Sequence, residues 1–176
     1  DITALHFAAG YGHHKTAKVI LENSGTHLQE ALLAKDQNDL TALHFAANHS
    51  NHETAKVILE NSGTHLQEVI LAKGQHDWTA LHFTAKFGHH NTAKVILENS
   101  GAHLQAVLLA KNNDGDTVLH NAVKYHNHQT FAVILKNNGT KFEPKSLSTE
   151  EKTIIKSSIA FARRDEKTLK NIDITR

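Results

Sequence analysis

The chain contains no cysteine, no methionine and only one proline among its 176 residues. Without cysteine, disulfide bonds, thiolate zinc sites and cysteine nucleophiles are excluded. With 19 Lys and Arg against 18 Asp and Glu, the formal net charge is +1, which gives no general attraction to nucleic acid. No apolar run approaches the ~20 residues that a membrane helix needs, and no signal segment opens the chain. We therefore expect neither nucleic acid nor a membrane as a partner.

Repetition is the main organising feature of the sequence. The phrase TALHFAAGYGHH begins at Thr3, and close copies begin at Thr41 and Thr79, at intervals of 38 residues. A looser copy, TVLHNAVKYHNH, begins at Thr117. A fixed period of this kind is typical of a solenoid, in which units stack in one dimension. We predict one solenoid domain with repeats at 1–38, 39–76, 77–114 and 115–152, the last one looser, and a degenerate fifth or C-terminal capping repeat at 153–176.

Each unit contains signals for three helices, so the predicted fold class is all-α. Thr3 can cap a first helix through ALHFAA, and Gly12 suits the tight turn that follows. A second helix is expected in HKTAKVILEN, with Gly25 as its left-handed stop. Thr26 and Gln29 fit a capping box for a short third helix in THLQEALLAK. The segment DQND then predicts a turn back to the next copy.

The segment from Asp36, DQNDLTALHFAANHSNHETAKVILENSG, resembles the ankyrin repeat. The family pattern is roughly D-x-x-G-x-T-P-L-H-x-A-A-x-x-G-H, followed by an apolar helix and a Gly. The resemblance covers nearly the whole chain and implies an ankyrin-repeat solenoid of helix-turn-helix units with hairpin-like turns between them. The unit is longer than the family's usual length of about 33 residues, and the added residues support the extra short third helix. The departures from the pattern are Ala4, Ala42, Ala80 and Val118 in place of Pro, and Asp39 and Asp77 in place of the turn Gly that Gly115 retains.

One histidine recurs in the fourth position of every copy, namely His6, His44, His82 and His120. Stacked helices lie ~8–10 Å apart, so these residues cannot share a zinc ion that needs several ligands at ~2 Å. An active site is usually singular, whereas these histidines repeat with the architecture. The resemblance implies that they are structural and bond the turn and the neighbouring unit. We therefore predict no catalytic residue, no metal and no cofactor, and a chain that is not an enzyme.

The positions that differ between near-identical copies are where partner specificity can be encoded. In the ankyrin family, partners usually contact the hairpin tips and the inner face of the first helices. Carried over onto this sequence, the resemblance gives as candidate partner-binding residues Tyr11, Leu40, His49, His76, Trp78, Lys86, Phe87 and Tyr125.

Trp78 is the most informative of these candidates. Its counterparts Leu40 and Asp116 are chemically unlike, which indicates an exposed position, and Trp and Tyr often anchor interfaces. The alternative is a Trp that lies over the surface of the next repeat. Two further questions stay open: whether the aromatic residues at the end of the first helix only cover its bend, and whether Phe7, Phe45 and Phe83 face the groove or pack between units.

The leading interpretation is a non-catalytic protein–protein interaction module that binds a partner protein of unknown identity through the concave face and the hairpin tips. The alternative is a recruiting domain of a larger effector or enzyme, because the chain starts in mid-phrase and its style resembles ankyrin-repeat proteins of intracellular bacteria. A spacer or a designed array is a third interpretation, although designed arrays normally keep the missing Pro and Gly. The expected location is the cytoplasm, or the cytoplasm of a host cell for an effector.

The two ends of the solenoid give different expectations. We expect a monomer. Because no polar cap precedes the first repeat, self-association through its open face is the alternative. At the other end, Ser148 and Glu151 fit a capping box for a helix rich in Lys and Arg. That segment is typical of a capping repeat.

Overall fold

The computed structural model describes residues 1–137 and four helical residues beyond them, Thr153, Lys156, Ser157 and Ala160. Residues 1–137 form short helices joined by tight turns, and no strand occurs in this range. The α-helices are α1 Ala4–Gly10, α2 His14–Glu22, α3 Leu28–Leu33, α4 Ala42–Asn48, α5 His52–Glu60, α6 Leu66–Ile70, α7 Ala80–Phe87, α8 His90–Glu98, α9 Leu104–Leu109, α10 Val118–Lys124 and α11 His128–Asn137. The all-α prediction is confirmed, whereas the predicted capping box at Ser148 and Glu151 lies outside the described residues.

The helices stack in two parallel rows. The first helices, α1, α4, α7 and α10, contact one another in order, and the second helices, α2, α5, α8 and α11, do the same. Small residues such as Ala9, Ala47 and Ala85 are fully buried at equivalent positions of the first row, which allows the helices to approach closely. Isolated helices shorter than about 12 residues are marginal in water, so contacts between units hold these helices in place.

The predicted third helix is confirmed in the first three units, but its predicted start is wrong. A 3₁₀ turn at Gly25–His27 precedes α3, the residue before α3 is His27, and no side chain caps the helix. Gly25, with φ of +50°, leads the chain directly into this turn, so Thr26 lies inside the turn and cannot act as its cap. The Gln29 amide instead donates to the Glu68 carboxylate of the next unit at 2.8 Å.

The turn between the first and second helices needs a left-handed residue in every unit. Gly12 and Gly88 take this position with φ of +74° and +76°, as their sequence context predicts. Ser50 and His126 take it in the other two units with φ of +61° and +58°. The turn chemistry therefore alternates along the stack.

The residue after this turn reaches back to the preceding unit. The Asn51 amide donates to the carbonyls of Ala9 and Gly10, both at 2.8 Å, and Asn127 makes the same pair of bonds to the end of α7. Between them, His89 Nδ1 lies 3.1 Å from the Ala47 carbonyl oxygen and donates to it. These bonds satisfy carbonyls that a helix end otherwise leaves unpaired.

Candidate functional site

Each first helix begins with a reciprocal cap between a threonine and a histidine. The Thr41 N–H donates to Nδ1 of His44 at 3.1 Å, and the Thr41 hydroxyl also bonds the backbone at the start of the helix. The pair has the form of a capping box, with histidine in the place that Glu or Gln usually takes. The same box occurs in the first, third and fourth units.

In the first three units, the other nitrogen of the ring bonds the tip that follows. His6 Nε2 lies 2.9 Å from the Leu40 carbonyl oxygen, and His44 Nε2 lies 3.0 Å from that of Trp78. His82 Nε2 lies 3.2 Å from the Asp116 carbonyl oxygen. Because a carbonyl can only accept, Nε2 carries the proton and Nδ1 is the acceptor, which is the neutral form of the ring.

Burial reinforces the neutral form of the two interior histidines. His44 and His82 have no exposed surface. Desolvation lowers the pKa of each to about 4, against the opposing effect of the bond to the tip carbonyl. The ring geometry and the pKa direction agree, since a second ring proton would face the donating Thr N–H.

The three tips between units differ in how they are built. The Asp36 carboxylate accepts the N–H groups of Asn38 and Leu40, both at 2.8 Å, and Asn112 does the same in the third tip. Gly74 occupies this position in the middle tip, where a Cβ would lie 2.5 Å from Leu40 Cδ2.

The middle tip also carries two consecutive left-handed residues other than glycine. His76 and Asp77 both have φ of +59°, a conformation that costs L-residues energy. Trp78 follows them directly, and its backbone carbonyl is held by His44. Backbone bonds also join this tip to both neighbouring tips, from the Gln75 N–H to the Asn38 carbonyl at 2.9 Å and from the Asn113 N–H to the His76 carbonyl at 3.0 Å.

Four of the candidate partner-binding residues meet at this tip. Lys86 Nζ lies 5.0 Å from the ring centroid of Trp78, 5.2 Å from that of Phe87 and 5.7 Å from that of Tyr125. Phe83 supports the indole at a centroid distance of 5.4 Å. We name Trp78, Phe87 and Tyr125 with the enclosed Lys86 the aromatic cage.

The other four candidates lie outside the aromatic cage. Tyr11 is 72% exposed and stacks on Phe7 with ring centroids 6.4 Å apart. His49 and His76 are exposed, and Leu40 is half-buried against the middle tip. The structure therefore divides the predicted set into one compact cluster and several separate positions.

The recurring phenylalanines pack between units. Phe45 contacts the His6 ring edge-on at a centroid distance of 5.0 Å, and Phe83 contacts His44 at 5.8 Å. Phe7 has no such histidine before it and is 54% exposed. Sequence reasoning left this choice open, and the structure places the side chain between units wherever a preceding unit is present.

Most charged side chains near the tips are paired. Lys124 lies 3.4 Å from Asp116 and 3.7 Å from Asp114, and the bond to Asp116 raises the pKa of Lys124. Lys73 lies 2.7 Å from Asp77 in the middle tip. Lys86 differs from these lysines, because no carboxylate of the described residues lies within ion-pair distance of it.

The second helices carry a separate charged stripe on the other row. Its pairs are Lys18 with Glu22, Lys56 with Glu60 and Lys94 with Glu98, at 3.7, 3.9 and 3.8 Å. These side chains are at least half exposed, and such pairs contribute little to stability.

Neither a cluster of metal ligands nor a membrane-spanning helix occurs in the described part of the chain. No three His, Asp or Glu side chains there converge as metal ligands. No helix there combines the length and the apolarity needed to cross a membrane.

A stack of short helix pairs joined by tips defines the class of helical-repeat solenoids. The family model for ankyrin repeats, in three copies, matches residues 1–69 and 60–146. The chain therefore belongs to the ankyrin-repeat family, whose members generally serve as non-catalytic protein–protein interaction modules. A comparison with curated protein sequences found none that matches this chain.

Proposed function

We propose that this chain binds a partner protein through the surface made by its tips and first helices, and that it performs no chemistry itself. The observation that carries this proposal is the aromatic cage. It gathers the only tryptophan of the chain, a tyrosine and a phenylalanine around one lysine. Phe87 and Tyr125 are exposed, whereas Trp78, expected to be exposed, is half-buried because it packs on Phe83 and Tyr125. Trp and Tyr are enriched among the few residues that supply most of the binding energy in protein interfaces.

The distribution of variable positions supports the same surface. One position near the end of the first helix is Gly10, Asn48, Lys86 and Lys124 in the four units, whereas the cores of the first three of these helices are nearly identical. The positions that vary therefore lie on the surface that we propose contacts the partner. Trp78, Lys86, Phe87 and Tyr125 form the centre of the proposed interface, with Tyr11, Leu40, His49 and His76 at its periphery.

We also propose that His6, His44, His82 and His120 are structural. His6, His44 and His82 each bond a carbonyl of the next tip, which fixes the tip against the preceding unit. His120 caps its own first helix as the other three histidines do, with Nδ1 accepting the Thr117 N–H at 3.3 Å. These residues support the binding surface without being part of it.

The test compares two triple variants of the 176-residue chain in partner capture. Trp78→Ala with Phe87→Ala and Tyr125→Ala removes the cage. The matched control, Lys18→Ala with Lys56→Ala and Lys94→Ala, alters the exposed stripe of the second row. Proteins captured by the wild type and by the control, and lost with the cage variant while its helical content is unchanged, support the proposal. Equal capture by all three chains contradicts it.

A further inference from the structure

Two equivalent lysines in neighbouring units have different electrostatic surroundings. Lys124 is paired with Asp116 and Asp114 at 3.4 and 3.7 Å. Lys86, one unit earlier, contacts three ring faces, and no carboxylate among the described residues reaches it. One cation on this surface is therefore neutralised within the chain, and the other is not.

The rings hold the Lys86 ammonium without consuming its hydrogen-bonding capacity. A ring face attracts a cation through its quadrupole, but it has no lone pair that accepts a hydrogen bond. The three N–H groups of the Lys86 ammonium therefore stay available as donors. Lys86 is also half-buried, so its side chain has already lost part of its rotamer freedom. An anion that binds there meets a positioned donor and incurs less ordering entropy than with a free lysine.

Resting on the proposed function above, we propose that the aromatic cage recognises an acidic and apolar segment of the partner protein. A partner carboxylate bonds the Lys86 ammonium, and a neighbouring apolar side chain covers the Trp78 and Tyr125 rings. A cationic segment fits the cage less well. It would have to displace Lys86 from the three rings, and the displaced Lys86 ammonium would then repel it.

The experiment begins with selection of random linear peptides displayed against the chain. Selected sequences are expected to combine Asp or Glu with large apolar residues. A synthetic peptide of the strongest sequence is then titrated against the chain beside a counterpart in which its acidic residues are replaced by Gln and Asn. Because Trp78 is the only tryptophan, its fluorescence reports occupation of the cage directly.

Three variants of the chain test the lysine itself. Lys86→Gln is expected to lower the affinity of the chain for the acidic peptide by about tenfold or more, because a charge-assisted hydrogen bond is lost. The amide counterpart of the peptide is expected to show no such difference between wild type and Lys86→Gln. Lys86→Arg retains most of the binding, since Arg also stacks on aromatic rings. Lys124→Gln is the matched control and should change the affinity by less than about twofold.

The outcomes separate this inference from the function on which it rests. Peptides that bind at Trp78 but are neutral or basic, or that are indifferent to Lys86→Gln, overturn the acidic specificity and leave the binding module intact. A selection that yields no peptide sensitive to Trp78→Ala overturns the acidic segment as the ligand of the cage, whereas the binding module is overturned only by equal capture of proteins by all three chains in the experiment above. Acidic peptides weakened by Lys86→Gln and unaffected by Lys124→Gln support both.

Discussion

The first and third units have nearly the same sequence at different places in the stack. TALHFAAGYGHH and TALHFTAKFGHH give the same capped first helix, the same left-handed glycine turn and second helices of nine residues each. Yet Thr16 is exposed where Thr92 is fully buried, and Val19 is 58% exposed where Val95 is half-buried. The third unit has a neighbour on both sides, whereas the described chain covers only one side of the first.

This difference separates what a unit contributes alone from what its neighbours contribute. The caps and turns form wherever the phrase occurs, because they depend on residues within a few positions of one another. Burial depends on the place of the unit in the stack, as expected for a solenoid whose stability is a sum of unit and interface terms. Substitutions at equivalent positions should therefore have unequal effects.

The largest expected effect is a loss of stability in mild acid, caused by the interior histidines. The pKa values of His44 and His82 are about 4 in the folded chain, against ~6.5 when unfolded. Between these values the unfolded state binds more protons, so the free energy of unfolding falls as the pH drops from ~6.5 toward 4. The stabilising contribution of the two neutral rings is complete above pH ~6.5. Urea unfolding should show a loss of about 4 kcal/mol between roughly pH 7.5 and pH 5.

The control for this prediction removes the two titrating rings. The double variant His44→Gln, His82→Gln should be less stable than wild type near neutral pH, because the bonds to the tips are altered. Its stability should nevertheless depend less steeply on pH in the same window. A wild-type stability that stays flat to pH 5 would show that the interior rings are not held neutral.

The next effect compares the same isoleucine in two units. Ile96 is fully buried in the third unit, whereas Ile20, its equivalent, is half-buried. Ile96→Ala should cost about 3 kcal/mol, from lost burial and from the cavity left behind, and Ile20→Ala should cost less than half of that. Chemical denaturation of the two variants measures the difference. Equal losses would mean that the open face of the first unit is covered in solution, and sedimentation of the wild type would then show self-association.

Much of the fold could be predicted from short-range patterns. The Thr and Gly positions predict the caps and the turns because both ends of each interaction lie in one phrase. The third helix could be predicted from its apolar spacing, but its start could not. The left-handed Gly25 begins a 3₁₀ turn that takes Thr26 out of the capping position.

The contacts that cross between units were harder to predict. Asn51, His89 and Asn127 bond the preceding unit, and the only sequence signal for this is that His and Asn alternate at one register. The members of the aromatic cage could be named from the resemblance to the ankyrin family together with the variability between copies. That three of them surround Lys86 could not, because it depends on how the middle tip orients Trp78 and on how α10 brings Tyr125 alongside α7.

A smaller effect is expected from these crossing bonds. Asn51→Ala removes two bonds to the end of α1 and should cost about 1–2 kcal/mol. Because the first unit contacts only one neighbour, the loss should appear as faster amide hydrogen exchange in α1 and α2, with α8 unchanged. Asn127→Ala is the matched variant between the third and fourth units. If Asn51→Ala accelerates exchange equally in α1, α2 and α8, the first unit does not open on its own.

The smallest effect concerns the turn position at which the units differ in residue type. Asp39 has φ of +59° and Gly115, its equivalent two units later, has φ of +81°. A left-handed conformation costs a residue with a Cβ roughly 1 kcal/mol, less for Asp than for most residues. Replacement by glycine removes this strain, but it also increases the conformational entropy of the unfolded chain, which offsets part of the stabilisation. Asp39→Gly should therefore stabilise the chain by no more than ~0.5 kcal/mol, and Gly115→Ala should destabilise it by about 1 kcal/mol. The exposed contact between Asp39 and Lys35, 3.7 Å apart, is too weak to make Asp39→Gly destabilising.

Thermal unfolding of both variants beside wild type measures the two shifts in stability. A destabilising Asp39→Gly would mean that the aspartate side chain contributes more to its tip than the left-handed backbone costs.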